Sequence, residues 1–197
     1  RRHSDPDVQN SMTEDLRKKV SQLRERFTNY YIEKYWSFYD ILFVNIEGTI
    51  FYTMRAESDL GNNLLQGDRS RSPLGQCLGK KPTTEAFVDF HHYGPSSEAA
   101  AFFVEPINKD GTQIGWIILQ FAINKVNAIL AWTEDLGQTG ETFLVNREGL
   151  MLTESNFEGS STILKKRLDD RNINAKFADI KGHRTVTDYR GRTALSS

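Results

Sequence analysis

The chain has 197 residues, of which 38% are hydrophobic and 11% aromatic, with a formal net charge of -1. That is enough apolar material to bury a core and no excess of either charge, which excludes a disordered chain and a generally basic nucleic-acid binder. A single cysteine, Cys77, excludes an internal disulfide or a CxxC metal knuckle, and none of the histidines (His3, His91, His92, His183) has a second ligand-type residue at metal-binding spacing, so neither a metal nor a cofactor is expected. No stretch approaches the roughly 20 apolar residues that span a bilayer, and Arg1-Arg2-His3-Ser4-Asp5 does not begin a signal peptide.

Ser11-Met12-Thr13-Glu14 reads as a capping box, followed by Leu16, Val20, Leu23, Phe27 and Tyr30 or Tyr31 at helical spacing, which predicts an amphipathic helix from about Thr13 to Tyr35. Asp40 to Asn45 and Thr49 to Thr53 are β-branched and aromatic runs around Ile46-Glu47-Gly48, the pattern of a β-hairpin. From Glu57 to Pro82 the abundance of Gly, Asn, Ser and Arg predicts a loop with a short helix, covering one side of a sheet. Strands are expected at Ala86 to Phe90, Ala99 to Pro106 and Thr112 to Ile123, the last two joined by Asn108-Lys109-Asp110-Gly111, and a short connecting helix follows at Val126, Ile129 and Leu130.

The hairpin pattern then returns. Asp40-Ile-Leu-Phe-Val-Asn-Ile-Glu-Gly48 and Glu141-Thr-Phe-Leu-Val-Asn-Arg-Glu-Gly149 share Val-Asn-x-Glu-Gly at an offset of 101 residues, which suggests two copies of one fold. A helix at Thr162 to Asp169, an apolar patch near Phe177-Ala178 and a strand at Thr185 to Tyr189 with the turn Arg190-Gly191-Arg192 continue the second copy. On this register it lacks the counterpart of strand Thr112 to Ile123.

Tyr39-Asp-Ile-Leu-Phe-Val44, Asp59-Leu-Gly-Asn-Asn-Leu-Leu-Gln-Gly67, Phe87 to Ser96, Ala100 to Pro106 and Gly115 to Asn127 resemble the membrane-distal half of double Cache sensor domains. Gly137-Gln-Thr-Gly-Glu-Thr-Phe-Leu-Val-Asn-Arg-Glu-Gly-Leu-Met151 is similar to the start of the membrane-proximal half. The resemblance implies an extracytoplasmic, non-enzymatic sensor of a membrane-anchored histidine kinase, chemoreceptor or cyclase, with PAS-like antiparallel lobes and a small-molecule ligand in the distal one. The sequence departs from this pattern in the shortness of the helix before the distal half, in the incomplete proximal half, and in the lack of the Arg and Trp-Tyr constellation that amino-acid-sensing members carry. The expected architecture is α+β: an N-terminal helical segment (1–35), a distal PAS-like lobe (36–124), a connecting helix and loop (125–139) and an incomplete proximal lobe (140–197).

A sheet with one face covered by loops and helices leaves a concave space for a ligand. Strand alternation places Phe102, Val104 and Pro106 in one set, with Ile118 and Gln120 among the residues facing them. Gln120 lies within an apolar run, and its amide needs a partner, either a ligand or a neighbouring backbone. Tyr93, Ser96 and Ser97 lie in a Gly-Pro loop that can present hydroxyls. Adjacent His91 and His92 point to opposite faces, and Arg55, Arg69 and Arg71 are candidate anion clamps or solvated arginines.

Other classes fare less well. Asn45-Ile-Glu47-Gly48-Thr49 superficially resembles the Asp-x-Asp-Gly-Thr loop of haloacid-dehalogenase-type phosphatases, but Asn45 replaces the nucleophile and an amide cannot form an aspartyl-phosphate. A cytoplasmic PAS-type module holding haem through Cys77 or His91, and a structural module that forms a homodimer through the N-terminal helix, are the alternatives.

Overall fold

The computed structural model describes residues 14–27, 30, 38–130, 136–168 and 184–196. Ser11 to Thr13 of the expected capping box, residues 28–29 and 31–35 of the expected helix, and the Phe177-Ala178 patch lie outside these described residues. The chain divides into two compact units, one up to Lys125 and the other from Val126.

In the first unit, helix α1 (Glu14–Phe27) precedes a five-stranded sheet made of β1 (Asp40–Asn45), β2 (Ile50–Thr53), β3 (Ala86–Tyr93), β4 (Glu98–Lys109) and β5 (Thr112–Ala122). The spatial order is β2-β1-β5-β4-β3 and every neighbouring pair is antiparallel, so the first strand lies beside the last. Between β2 and β3 comes the covering segment, with a 3-10 turn at Gly67–Arg71 and helix α2 (Pro73–Gly79). Pro73 opens α2, where no amide partner is needed, and the Ser72 hydroxyl accepts from the Gly75 N–H at 3.0 Å. Helix α3 (Ile123–Leu130) follows β5 directly.

Two tight turns hold this order. Between β4 and β5, Asp110 and Gly111 both take positive φ (51° and 77°), the geometry of a two-residue hairpin whose twist matches its strands. Between β1 and β2, Asn45 Oδ1 accepts from the Thr49 N–H at 2.7 Å, the Gly48 N–H donates to the Asn45 carbonyl at 2.9 Å, and Gly48 sits at φ 90°.

Leu42, Val44, Ile50, Val88, Phe102, Val104, Trp116 and Ile118 point from the inner face into a core closed by Leu64, Leu74 and Leu78 of the covering segment, all of them buried. Each such leucine contributes about 2 kcal/mol of burial. Trp116 is tied to the cover as well, its indole N–H donating to the Pro82 carbonyl at 3.0 Å. On the outer face the rings of Phe38, Phe121, Phe103 and Phe87 form a continuous series with successive centroids 4.9, 5.2 and 4.8 Å apart.

The second unit repeats the β1–β2 turn and little of its strands. Asn146 Oδ1 accepts from the Leu150 N–H at 2.8 Å, the Gly149 N–H donates to the Asn146 carbonyl at 3.0 Å, and Gly149 has φ 78°. The parallel extends to the cover: Leu64 N–H donates to the Gly48 carbonyl and Leu168 N–H to the Gly149 carbonyl, each at 2.8 Å. The strands expected on either side shrink to single antiparallel bridges, Val145 with Met151 and Leu150 with Arg167. One reason is local, since the Thr153 hydroxyl takes the Leu144 N–H at 2.9 Å that a strand partner would otherwise receive.

Two further expectations are corrected. The helix expected at Thr162 to Asp169 is a single turn closed by Lys166 N–H on the Thr162 carbonyl. It stops because Leu164 takes φ 53° and gives its N–H to the Met151 carbonyl. The strand expected to be missing is present in its first part: β6 (Arg184–Thr187) pairs with β7 (Thr193–Ser196) around a turn in which the Asp188 carboxylate accepts from the Arg190 and Arg192 N–H groups, both at 2.9 Å.

If the two turns are physically one device, Asn45→Ala and Asn146→Ala should act alike. Each removes one side-chain acceptor from one backbone amide, worth about 1 kcal/mol. We expect amide hydrogen exchange at Thr49 and at Leu150 to accelerate by a similar factor of about five in the respective variant. A response at only one turn would mean that the sequence repeat is not an energetic one.

Candidate functional site

The inner face of the first sheet changes character along its strands. At one end Val44, Trp116, Leu42, Ile118 and Val104 meet the leucines of the cover. Further along the same face, the register brings Asp40 beside Gln120 and Gln120 beside Phe102, then Ala122 beside Ala100 and Ala100 beside His91, and ends where Tyr93 opposes Glu98. Glu57 and Asp59 of the cover belong to this polar end. Asp40, Asp59 and Gln120 are fully buried, and Tyr93 is nearly so.

Asp40 is a hub for the start of the sheet. Its Oδ1 accepts backbone N–H groups from Ile41 (2.7 Å), Met54 (2.9 Å) and Arg55 (3.1 Å), while the Thr53 hydroxyl donates to Oδ2 at 2.9 Å. Burial nonetheless pushes its pKa up to about 6, against the hydrogen bonds that favour the charged form.

The Tyr93 hydroxyl donates to Asp59 Oδ2 at 2.8 Å, a bond across 34 residues of sequence that fastens the cover to the end of β3. The Tyr93 ring meets Phe102 edge-on at 4.9 Å, and the His91 ring lies 5.5 Å from Phe102. Burial raises the Asp59 carboxyl and, joined by the Asp59 charge, raises the Tyr93 phenol strongly. The Tyr39 hydroxyl donates to Glu57 Oε1 at 2.6 Å, and burial raises both of these groups as well. Gln120 Nε2 donates to the Ser96 hydroxyl at 3.2 Å, which in turn donates to the Tyr93 carbonyl at 3.4 Å. Several buried atoms here have no hydrogen-bond partner among the described residues: Asp59 Oδ1, Gln120 Oε1, Glu57 Oε2, Glu98 Oε2 and His91 Nε2.

Of the residues singled out by sequence, the structure brings Gln120, Tyr93, Ser96 and Phe102 together at this end. Tyr93 is the last residue of β3 rather than part of the loop, because β3 pairs with β4 through Tyr93–Glu98. Val104 and Ile118 share the face but stand in the apolar, leucine-covered half. Arg55 is exposed, its guanidinium 4.0 Å above the Tyr39 ring and its Nε donating to the Tyr39 carbonyl at 2.6 Å; its backbone N–H bonds to Asp40, and its charge acts on Glu57 through space. His91 is half-buried against Phe102 while His92 is exposed.

Sequence reasoning missed the four carboxylates, Asp40, Glu57, Asp59 and Glu98. Asp40 carried a signal, an acidic residue opening an apolar strand, while Glu57 and Asp59 sit in a segment whose composition says only loop. Among the described residues no group of three His, Cys, Asp or Glu side chains is arranged to hold a metal ion, and no helix is long and apolar enough to cross a membrane.

No family model matches the sequence, and no curated protein is significantly similar to it. Solved structures match the fold. The extracellular domain of the histidine kinase mmHK1S-Z3 is 15% identical with a TM-score of 0.58, over 90% of this chain and 78% of that one. That of the histidine kinase mmHK1S-Z2 is 15% identical with a TM-score of 0.56, over 89% and 74%. The ligand-binding domain of the Pseudomonas aeruginosa PAO1 amino acid chemoreceptor PctB, solved with L-Gln, is 16% identical with a TM-score of 0.53, over 81% of this chain and 60% of that one. The fold is therefore the PAS-like α+β fold of these extracellular domains of histidine kinases and chemoreceptors.

Proposed function

We propose that this chain is the extracytoplasmic small-molecule sensing part of a membrane-anchored signalling receptor, with its ligand in the lobe spanning 36–124 and the lobe spanning 140–197 in the signalling path. The observation that carries this reading is the pair Gln120 and Asp59. Both side chains are fully buried at the polar end of the sheet, and each keeps an oxygen without a hydrogen-bond partner among the described residues. A buried unsatisfied oxygen costs about 1–3 kcal/mol, so a fold keeps one where a ligand supplies the missing bond. The fold supports the same reading, since a chemoreceptor domain of this architecture was solved with a small ligand.

The mechanism follows from linkage. The cover is fastened to the sheet through Tyr93 and Asp59, so a ligand that bonds to both cover and sheet favours arrangements in which they are held together. It can shift that equilibrium only by its difference in affinity for the two states.

Thermal-shift measurements with small carboxylates, amines, purines, sugars and sugar phosphates test this. A ligand that binds only the folded state and is present at about 100 times its Kd adds about 2.7 kcal/mol of stability. We expect one class to raise Tm in a concentration-dependent way, and Gln120→Leu and Tyr93→Phe to abolish the rise. A folded protein that responds to none of the panel would overturn the sensing assignment.

A further inference from the structure

The atoms left without partners at the polar end are chemically alike. Asp59 Oδ1, Glu57 Oε2, Glu98 Oε2 and Gln120 Oε1 can only accept hydrogen bonds from a neutral-pH partner. His91 belongs with them. Its Nδ1 lies 3.0 Å from the Asp89 carbonyl, which can only accept, so Nδ1 carries the proton and Nε2 is left bare. Burial disfavours the doubly protonated ring that would make Nε2 a donor. The orientation of Gln120 is fixed by Ser96, whose one hydroxyl proton goes to the Tyr93 carbonyl, so that Ser96 receives from the amide nitrogen and the amide oxygen remains unpaired. Along the row from Gln120 to His91 and its cover, the unsatisfied atoms among the described residues are these five acceptors.

Charge points the same way. Asp40, Glu57, Asp59 and Glu98 are close enough to feel one another: Asp59 raises Asp40, and Asp59 and Glu98 raise Glu57. Among the described residues no ion pair answers any of them. Arg69 acts on Asp59 and Arg55 on Glu57 only through space, the exposed Arg55 guanidinium itself resting on the Tyr39 ring and carbonyl. Unpaired buried carboxylates are costly, and a cation that brings its own N–H groups relieves both the charge and the missing bonds. A metal ion would need its ligands gathered to one point, and these are not.

Resting on the sensing reading above, we propose that the ligand is a small amine: a cation with several N–H donors, held by Asp59, Glu57, Glu98 and the Gln120 carbonyl oxygen in the first unit. Gln120, fully buried and uncharged, is the observation independent of the acidic cluster. A second nitrogen would suit carboxylates contributed by separate elements, Glu57 and Asp59 by the cover and Glu98 by β4.

The test is calorimetry and thermal shift on the chain with 1,4-diaminobutane, spermidine and ethylamine, beside succinate, glucose, adenine and calcium chloride. The expected result is that at least one amine binds and raises Tm, and that Asp59→Asn, which keeps an acceptor for the Tyr93 hydroxyl but removes the charge, weakens binding by about tenfold or more. Gln120→Leu is the second variant and should weaken it as well. An amine that binds wild type and both folded variants equally overturns the assigned residues. A response to succinate, glucose, adenine or calcium with none to the amines overturns the amine class while the sensing reading stands. No response to any probe overturns both.

Discussion

Asp40→Ala is expected to destabilise the first unit by about 3–5 kcal/mol, the largest effect of any single side-chain truncation at the polar end. The substitution removes one carboxylate and strands four donors at once: the N–H groups of Ile41, Met54 and Arg55 and the Thr53 hydroxyl. The site is fully buried, so water cannot replace the lost acceptor without opening the junction of β1 and β2. Asp40→Asn should behave differently. Its carbonyl oxygen can still take the three backbone donors, and its amide can donate to Thr53, whose hydroxyl then loses only its own acceptor. The loss should be about 1 kcal/mol near neutral pH, read as the shift in urea midpoint with an unchanged m-value.

The same pair of proteins separates by pH. Because the folded carboxyl is raised to about 6 from an ordinary value of 3.8, the folded state binds the proton more tightly than the unfolded chain. Asp40 therefore adds stability that is complete below the unfolded value and is lost as pH rises through about 6. Going from pH 7 down to pH 5 should return about 1 kcal/mol from this residue. Glu57 and Asp59, also raised by burial, act in the same direction. Wild type should thus gain stability on mild acidification, Asp40→Asn should gain less, and equal slopes would mean that Asp40 titrates in the folded state as it does in a loose chain.

The same residues show what a single sequence can and cannot disclose. Strands β1, β4 and β5 were legible because a β-branched and aromatic run bounded by turn residues is a local property, which the sheet then divides between its faces, with Phe102 and Val104 inside and Phe103 and Glu105 outside. The repeated turn was legible for a similar reason. Val-Asn-x-Glu-Gly encodes its geometry within five residues, through an Asn side chain that reaches forward to an amide and a glycine that takes positive φ. The strands of the second copy were not legible as absent, since Phe143-Leu-Val145 is as apolar as its counterpart and what ends the ladder is a hydroxyl nine residues away, Thr153. The helix expected after Thr162 failed because a tertiary bond, Leu164 to Met151, outweighed local propensity. At the candidate site, Gln120 stood out because a polar residue in an apolar strand is anomalous on its face. Asp59 did not, because an aspartate in a polar loop is ordinary, and only the bond to Tyr93 distinguishes it.

Gly115→Ala should be nearly as damaging as Asp40→Ala, for a reason of space rather than hydrogen bonding. Gly115 lies in the central strand β5, paired with Asn45 on one side and Ile107 on the other. A Cβ added there would stand 2.2 Å from the Val44 carbonyl oxygen and 3.1 Å from the Asn45 Cα. Both are backbone atoms of β1, and neither can rotate away as a side-chain tip would. Relief requires β1 and β5 to part near Val44 and Trp116, which pairs them at the apolar end of the core. Overpacking of this kind costs about 3 kcal/mol or more. The control is Gly79→Ala at the end of α2, where an added Cβ meets nothing within 4 Å. There the substitution trades glycine's unfolded-state freedom for helix propensity and should be neutral or stabilising by about 0.5 kcal/mol. Urea denaturation of the two variants against wild type decides the matter: a large loss at Gly115 with none at Gly79 supports a β1–β5 junction packed backbone to backbone. Equal tolerance at both positions would show that the strands are further apart than the register requires, and that the cross-strand row of Asp40, Gln120 and Phe102, which depends on that register, is drawn in the wrong place.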